Sequence, residues 1–442
     1  MTGTLLGYVA RAKDGLSACG FMLIALLIRV WHISTPRGYV FDEVYYAKNA
    51  HSLVDHGVEL QKTGAAEFIV HPPVGKWLIG VGIKIFGFNE FGWRITAAIV
   101  GTLSVGLIYY VAKRLFDIYL LSCMAALLTI FDGLHLVHSR TALLDIFLMF
   151  FILLAFYFVL LSKPWWAGFT LGLALATKWS GIYYMVAYAA FLLYVDYRQE
   201  RAMENEEAIR TVLATKVWRR FLQFGLLPIF TYATTWVGWF LNPRGWDRNW
   251  SKSMINSFWH YHSEMWNFHT NLTQGHPYSA NPWSWLIMGR PTSFFYASPK
   301  SCGAQTCSQE ILALGTPLLW WSGLIALCIT FGYWIARREW QSGLILLSLA
   351  AGYTPWFLIQ KRTMFTFYAI AFEPFLILLI VYVISKFLEG ERGRELSRRR
   401  LLFVYGYLVA VAINFFYFFP LYTAGVISYG AWLRHMWLPS WI

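Results

Sequence analysis

Apolar residues in this chain run in long blocks and rarely alternate with polar ones at a fixed helical spacing. The stretch LLDIFLMFFILLAFYFVLL, 143–161, is nearly free of charge over about the length that crosses a bilayer. A backbone in hydrocarbon finds no water to bond, so such blocks must close their own hydrogen bonds as helices. The pattern predicts spans near 16–33, 91–111, 119–131, 143–161, 167–176, 182–195, 221–241, 316–336, 342–359, 367–385 and 401–419. Two further segments read differently. EVYYAKNAHSLV, 43–54, has the helical spacing of a surface helix. VGKWLIGVGIKIF, 74–86, is apolar but too short to span, which fits an interfacial or re-entrant helix. The expectation is an all-α integral membrane protein of about eleven spans, a single transmembrane domain over 1–442.

Charge gives this arrangement a direction. With the N-terminus inside, the cytoplasmic loops 1–15, 112–118, 162–166, 196–220, 337–341 and 386–400 hold 19 Lys and Arg in 72 residues. The opposite side holds 15 in 177, the bias that the positive-inside rule demands. Segments 196–220 and 386–400 read as solvated connectors. Polar complexity lies outside, in loop 34–90, loop 242–315 and a tail at about 420–442. The first residues lack a cleavable signal pattern, so the first apolar block is expected to stay as a helix.

Composition agrees. The 442 residues are 58% hydrophobic and 13% charged, against about 25% charged in a soluble domain. A net charge of +13 raises nucleic acid as a partner, but the cations gather at helix ends and form no basic stripe interleaved with stacking aromatics. The 23 Trp and 26 Tyr suit two membrane interfaces. Cys19, Cys123 and Cys328 sit in apolar runs. Cys302 and Cys307 share the second external loop, where an oxidising compartment would allow a short disulfide.

Candidate chemistry collects on the external side. Asp42 and Glu43 follow the first span in RGYVFDEVYYA. Asp at a helix N-cap commonly caps; the other reading is a general base, worth roughly 10²–10⁴-fold when it takes the proton of an acceptor hydroxyl. Neighbours on a helix point about 100° apart, so one carboxylate is expected to do chemistry while the other pairs with a cation. Arg94, Arg140, Lys178, Lys361 and Arg362 lie on the side that should be poor in cations. Each alone can snorkel at a lipid boundary; together they suit a phosphate leaving group. Such a group departs as a stable anion, needing no general acid and, beside several cations, no metal or other cofactor. Asp145 and Glu373 are ionisable residues inside spans, either functional or paired to hold helices in register. His260, His262 and His269 have spacing that invites a metal, but no fixed acidic pattern accompanies them and their aromatic neighbours fit a packed lid. Asn271–Thr273 matches a glycosylation sequon too common by chance to carry weight.

FDEVYYAKNA, HPPVGKWLI, HSRTALLDIF and LALATKWSG resemble, in order, the motifs of the dolichyl-phosphate-mannose–protein mannosyltransferases. HTNLTQGHPYSANPWSWLIMGRP, CGAQTC and LALGTPLLWW are similar to the second external loop of the actinobacterial branch. The resemblance runs from about 37 to about 370. Loop 242–315 leaves no room for the β-trefoil insertion of eukaryotic members. The resemblance implies a GT-C membrane glycosyltransferase fold and transfer of mannose, with inversion, from a polyprenyl phosphate to Ser or Thr hydroxyls. It implies Asp42 as base beside Glu43, with Arg94, His71, Asp145 and His269 in support. It also implies a donor-phosphate site drawn from Arg140, Lys178, Gln360, Lys361 and Arg362. His71 with Pro72 and Pro73 would shape the first-loop helix. The segment after Arg362, TMFTFYAIAFEPF, departs from the eukaryotic version. The implied setting is a bacterial plasma membrane with an extracytoplasmic site. The implied partners are polyprenyl-phosphate-mannose, an unfolded or translocating polypeptide, the lipid bilayer and the protein-export machinery, without nucleic acid.

Three other readings compete. An oligosaccharyltransferase should carry a WWD motif in a large soluble domain, and neither is present. A transferase moving an aminosugar to lipid is closer in design, and acceptor identity separates it. A transporter should contain internal repeats and broken midplane helices; no repeat is visible, and the polar residues gather at one face.

Overall fold

The computed structural model describes residues 2–389 and 398–442, with the backbone alone for 2–11. The part of the predicted cytoplasmic loop at 390–397 lies outside the described residues. Helix α1 (Thr2–Val30) leads into the first long loop, which folds as α2 (Glu43–His56) and α3 (Val74–Phe86). Both helices stand where the apolar pattern predicts them. Asn89 then caps α4 (Glu90–Phe116), its side chain accepting from Gly92 N at 2.9 Å, the arrangement that satisfies an orphan donor at a helix start.

Helices α5 (Tyr119–Ile130), α6 (Gly133–His138) and α7 (Asp145–Leu160) follow, then α8 (Pro164–Leu175) and α9 (Gly181–Ala202). Proline opens α8 at a position where its missing N–H costs nothing. Segment 196–220 is exposed over most of its length, as expected of a solvated connector, and is largely helical: α9 runs into it to Ala202, and α10 (Ala208–Thr215) and α11 (Val217–Phe221) follow. Arg220 closes the turn with two bonds to Asp196, at 2.8 and 2.7 Å.

The predicted span 221–241 is broken. A π turn at Leu222–Leu226 separates α11 from α12 (Leu227–Thr234), and α13 (Val237–Leu241) follows. Pro228 at the start of α12 has no N–H to continue the ladder. α8 packs closely here through Gly168 and Gly172. A Cβ at Gly168 would lie 1.8 Å from the Gln223 carbonyl oxygen, and one at Gly172 would lie 2.6 Å from Thr231 Cβ. Small residues four apart let two backbones approach in a membrane.

The second long loop contributes α14 (Met254–Asn271) and two strands, β1 (Thr292–Ala297) and β2 (Cys307–Ala313). α15 (Pro317–Arg337), α16 (Trp340–Tyr353), α17 (Glu373–Glu389) and α18 (Arg398–Tyr422) complete the bundle, before β3 (Val426–Ser428) and α19 (Tyr429–His435). The strands form one antiparallel sheet in the order β1-β2-β3, so the tail is stitched to the loop. Cys302 and Cys307 are disulfide-bonded across the β1–β2 turn, with Cα atoms 5.9 Å apart. The sheet is a small exception within a helical fold, and Glu373 is the first residue of α17.

Among the described residues, Glu90–Phe116, Pro317–Arg337, Trp340–Ile359 and Arg398–Tyr422 are each long and apolar enough to cross a membrane unaided, while Tyr119–Ile130 and Asp145–Leu160 are shorter apolar helices. α18 displays the sidedness of a lipid-facing helix. Phe403 and Ile413 are 69% and 66% exposed, whereas Val411, Phe415 and Phe418 are fully buried. Exposed apolar bulk of this kind is stable only against lipid. α7 is enclosed on nearly every side and carries Asp145 in its first turn.

Candidate active site

The chain between α1 and α2 is held by two buried arginines. Arg94, in the first turns of α4, donates through Nε to Glu43 Oε1 and through Nη2 to Glu43 Oε2, both at 2.8 Å. Its remaining donors reach the carbonyls of Ile33, Pro36 and Gly38 at 3.0, 3.0 and 2.9 Å. All five N–H groups of the guanidinium are thereby used. Glu43 is equally committed, accepting further from Val40 N, Ala142 N and Trp93 Nε1 at 2.8, 2.9 and 3.3 Å. The pair is a buried clamp with no capacity left for a substrate.

Arg140 also turns inward. Its Nη1 donates to the carbonyls of Arg29 and Trp31 at 2.8 and 2.6 Å, and its Nη2 donates to His32 O at 3.2 Å. A helix C-terminus leaves carbonyls without partners, and Arg140 supplies them at the end of α1. With these bonds Arg140 caps the end of α1, a role other than the donor-phosphate contact expected of it.

Asp42 differs from its neighbour. It occupies the N-cap position of α2, yet its side chain makes no capping bond. Among the described residues its carboxylate accepts no hydrogen bond, which removes the simple capping explanation. Phe41 before it holds a φ of +49°, a left-handed conformation that costs a non-glycine residue about 1–3 kcal/mol. Packing sustains it: the Phe41 ring stacks on Phe294 of β1 at 4.8 Å and meets Phe367 edge-on at 5.6 Å. Burial pushes the Asp42 carboxyl up to about 6, with the Lys178 ammonium opposing that shift and Asp145 adding to it. A base with this value exchanges protons near neutrality.

Opposite Asp42, the turn after α8 presents Lys178, whose Nζ lies 2.9 and 3.0 Å from the two Asp145 oxygens and 4.9 Å above the Tyr368 ring. Asp145 is thus paired, with a lysine of the neighbouring turn. Arg362, between the 3₁₀ turns Thr354–Ile359 and Thr366–Ala371, places Nη2 3.3 Å from His269 Nδ1. The His71 ring lies 5.1 Å from His269 and 6.1 Å from Tyr46. Burial holds the His71 imidazole well below its usual value, and the nearby Lys178 charge lowers it further.

Six residues singled out in the sequence therefore converge: Asp42, His71, Asp145, Lys178, His269 and Arg362. Two tyrosines absent from that reading join them. Tyr46 lies within the electrostatic reach of Asp42, Asp145 and Arg362, and Tyr368 within that of Arg362, Lys178, Asp145 and Asp42. Tyr46 stands four residues after Asp42, on the same helix face, a signal available from spacing. Tyr368 has no such signal.

Lys361 is exposed and, among the described residues, has no ion-pair partner, so only Arg362 of that pair reaches the cluster. Gln360 ties two loops together, accepting from Asn281 Nδ2 at 2.8 Å and donating to Phe357 O at 2.9 Å. His260, His262 and His269 face separate partners. The first stacks on Trp250 at 4.2 Å, and the second meets the Tyr232 hydroxyl at 2.7 Å. Among the described residues no three His, Cys, Asp or Glu side chains are grouped to hold a metal.

Residues 20–235 match the family described as dolichyl-phosphate-mannose-protein mannosyltransferase, and residues 254–441 match the C-terminal four-transmembrane region of protein O-mannosyltransferases. The polyprenol-phosphate-mannose–protein mannosyltransferase of Mycobacterium tuberculosis is 33% identical over 91% of this chain and 86% of its own length. The Corynebacterium glutamicum protein of the same name is 30% identical over 91% and 88%. In fold, the chain is similar to the yeast Pmt1-Pmt2 complex bound to the sugar donor, with a TM-score of 0.81 at 15% identity, covering 97% of this chain and 93% of that one. ArnT of Cupriavidus metallidurans bound to undecaprenyl phosphate follows at 0.59 and 16%, covering 92% and 75%. With both halves matched and relatives aligned nearly end to end, this GT-C membrane chain belongs to the dolichyl-phosphate-mannose–protein mannosyltransferase family.

Proposed function

We propose that this protein transfers mannose from a polyprenyl-phosphate-mannose donor to Ser or Thr hydroxyls of polypeptides, with Asp42 as general base. The observation that carries the reading is the Asp42 carboxylate, uncapped and raised toward neutrality, in one cluster with two cations. Asp42 takes the proton of the acceptor hydroxyl as its oxygen attacks the sugar C1. The bond from C1 to the phosphate oxygen breaks on the opposite side, so the configuration inverts. The electron pair leaves with the polyprenyl phosphate, whose charge Lys178 and Arg362 stabilise. The phosphate departs as an anion, so no general acid is required and the cations suffice without a metal.

The site is extracytoplasmic on this reading, in a plasma membrane with the N-terminus inside. The sparse Lys and Arg of the active side and the Cys302–Cys307 disulfide in its second loop support that orientation. An unfolded acceptor emerging from the protein-export machinery suits a site at this level; crosslinks between the two during secretion would be absent if the idea is wrong.

The direct experiment supplies purified protein in detergent with polyprenyl-phosphate-mannose and a Ser/Thr peptide. A peptide heavier by one hexose is the expected product, and Asp42→Asn should lose roughly 10²–10⁴ in rate. Sugar appearing only on lipid, or an unimpaired Asp42→Asn variant, would overturn the assignment.

A further inference from the structure

We propose that His269 is a positioning residue: locked in a single tautomer, it holds the Arg362 guanidinium toward the donor phosphate. The inference rests on the phosphate role given to Arg362 above.

Two contacts fix the state of the ring. His269 Nε2 lies 2.7 Å from Val70 O, and a carbonyl only accepts, so Nε2 carries the hydrogen. Nδ1 is then a bare lone pair, 3.3 Å from Arg362 Nη2, which only donates. Both partners demand the same neutral tautomer. An imidazolium would turn an N–H against a guanidinium and break the contact. Burial, with the Arg362 charge second, pushes the ring down to about 4, so it stays neutral across ordinary pH.

The state of Arg362 gives the arrangement its use. Arg94 spends all five donors on protein oxygens and is scaffold. Arg362 is gripped at one corner by His269, while its Nε is buried with no partner among the described residues. A buried unpaired donor costs about 1–3 kcal/mol, which an anion reaching the cluster would relieve. A guanidinium tethered at one corner keeps its Nε–H for a phosphate oxygen.

His269 also links the two sides of the site. Its partner Val70 belongs to the first loop, where Ile69 exchanges contacts of 3.2 and 3.4 Å with the Tyr261 hydroxyl. Tyr261 lies two helical turns earlier on α14. Beyond the end of that helix, Leu272 O accepts from Thr363 N at 2.9 Å. α14 is thus a strut from the loop of His71 to the turn of Arg362, and His269 is its contact with the reacting charges.

The test is a coupling measurement. His269→Ala should lower kcat/KM for polyprenyl-phosphate-mannose about 10²-fold, the scale of a misplaced binding group, with little change in the KM of the acceptor peptide. In an Arg362→Ala background the same substitution should add nothing. His269→Gln, whose amide both donates and accepts, should recover most of the rate; His269→Asn, too short for both contacts, should not. ¹⁵N-histidine NMR of the purified protein should report a neutral ring protonated at Nε2. Equal losses in both backgrounds, an unimpaired His269→Ala, or an Nδ1-protonated ring would each overturn the proposal. A wild-type protein that transfers no mannose would instead sink the transferase reading, so the two failures are distinguishable.

Discussion

Arg94 and Glu43 form a bidentate ion pair in the protein interior, two 2.8 Å bonds between side chains that are 1% and 0% exposed. Breaking one partner of such a pair leaves an uncompensated charge away from water, at about 3–5 kcal/mol. Arg94→Ala and Glu43→Ala should therefore both melt earlier in detergent, by comparable amounts, before any catalytic effect is considered. Equal melting of either variant and the wild type would show that the clamp does not hold the segment between α1 and α2.

Asp42 should behave in the opposite way. Its carboxyl is raised from 3.8 to about 6, so the folded protein binds this proton more tightly than the unfolded chain. Ionisation then opposes folding: the penalty is absent below about pH 4, grows as pH rises to about 6, and is complete above that. A rise of this size corresponds to ~3 kcal/mol. Asp42→Asn should raise the melting temperature at pH 7 and make little difference at pH 4, while removing activity. In the wild type, kcat/KM should fall tenfold per pH unit below about 6, as the base becomes protonated. A flat profile from pH 5 to 8 would remove Asp42 from the chemistry.

How much of this was legible beforehand depends on the kind of signal. The helix at 74–86 could be bounded to the residue, because an apolar block ended by glycine at Gly87 states its own length. The strands TSFFYA and CSQEILA could not; they are short, lie among Gly, Ser and Pro, and form with the help of a tail far along the chain. The acidic pair was visible as a motif, and the expectation that one carboxylate would meet a cation matches the Arg94–Glu43 contact. Which cations face inward was hidden. Arg140 and Arg362 look alike in sequence, and only the carbonyls around the first and the unfilled Nε of the second separate them.

That separation predicts different kinetic signatures. Arg362→Ala should fold normally and lose on the order of 10²–10³ in transfer rate, the scale of one missing donor to a developing anion. Arg140→Ala should unfold earlier, because it orphans the last carbonyls of α1, and the fraction that remains folded should keep most of its turnover. Initial rates per folded molecule distinguish them. A thermally intact Arg140→Ala that loses donor turnover would return Arg140 to the phosphate site.

The close approach of α8 to α12 gives a prediction in which the sign is decided by space. Replacing glycine by alanine inside a helix ordinarily gains about 0.5–1 kcal/mol. A methyl group added at Gly406 of α18 would meet nothing within 4 Å, so Gly406→Ala should gain that amount. Gly168 has the Gln223 carbonyl oxygen 1.8 Å from the place its methyl group would take, and backbone cannot step aside as a flexible side chain does. Overpacking of this kind costs about 1–3 kcal/mol, so Gly168→Ala should melt earlier. The damage should also reach the chemistry. α8 runs directly into Ala176, whose carbonyl accepts from Val74 N at 3.0 Å, and into Lys178. A displaced α8 therefore moves the Lys178–Asp145 pair away from Asp42. Gly406→Ala should melt later with transfer unchanged, while Gly168→Ala should melt earlier and transfer more slowly; a Gly168→Ala protein as stable and active as the wild type would mean that α8 is free to shift without disturbing the site.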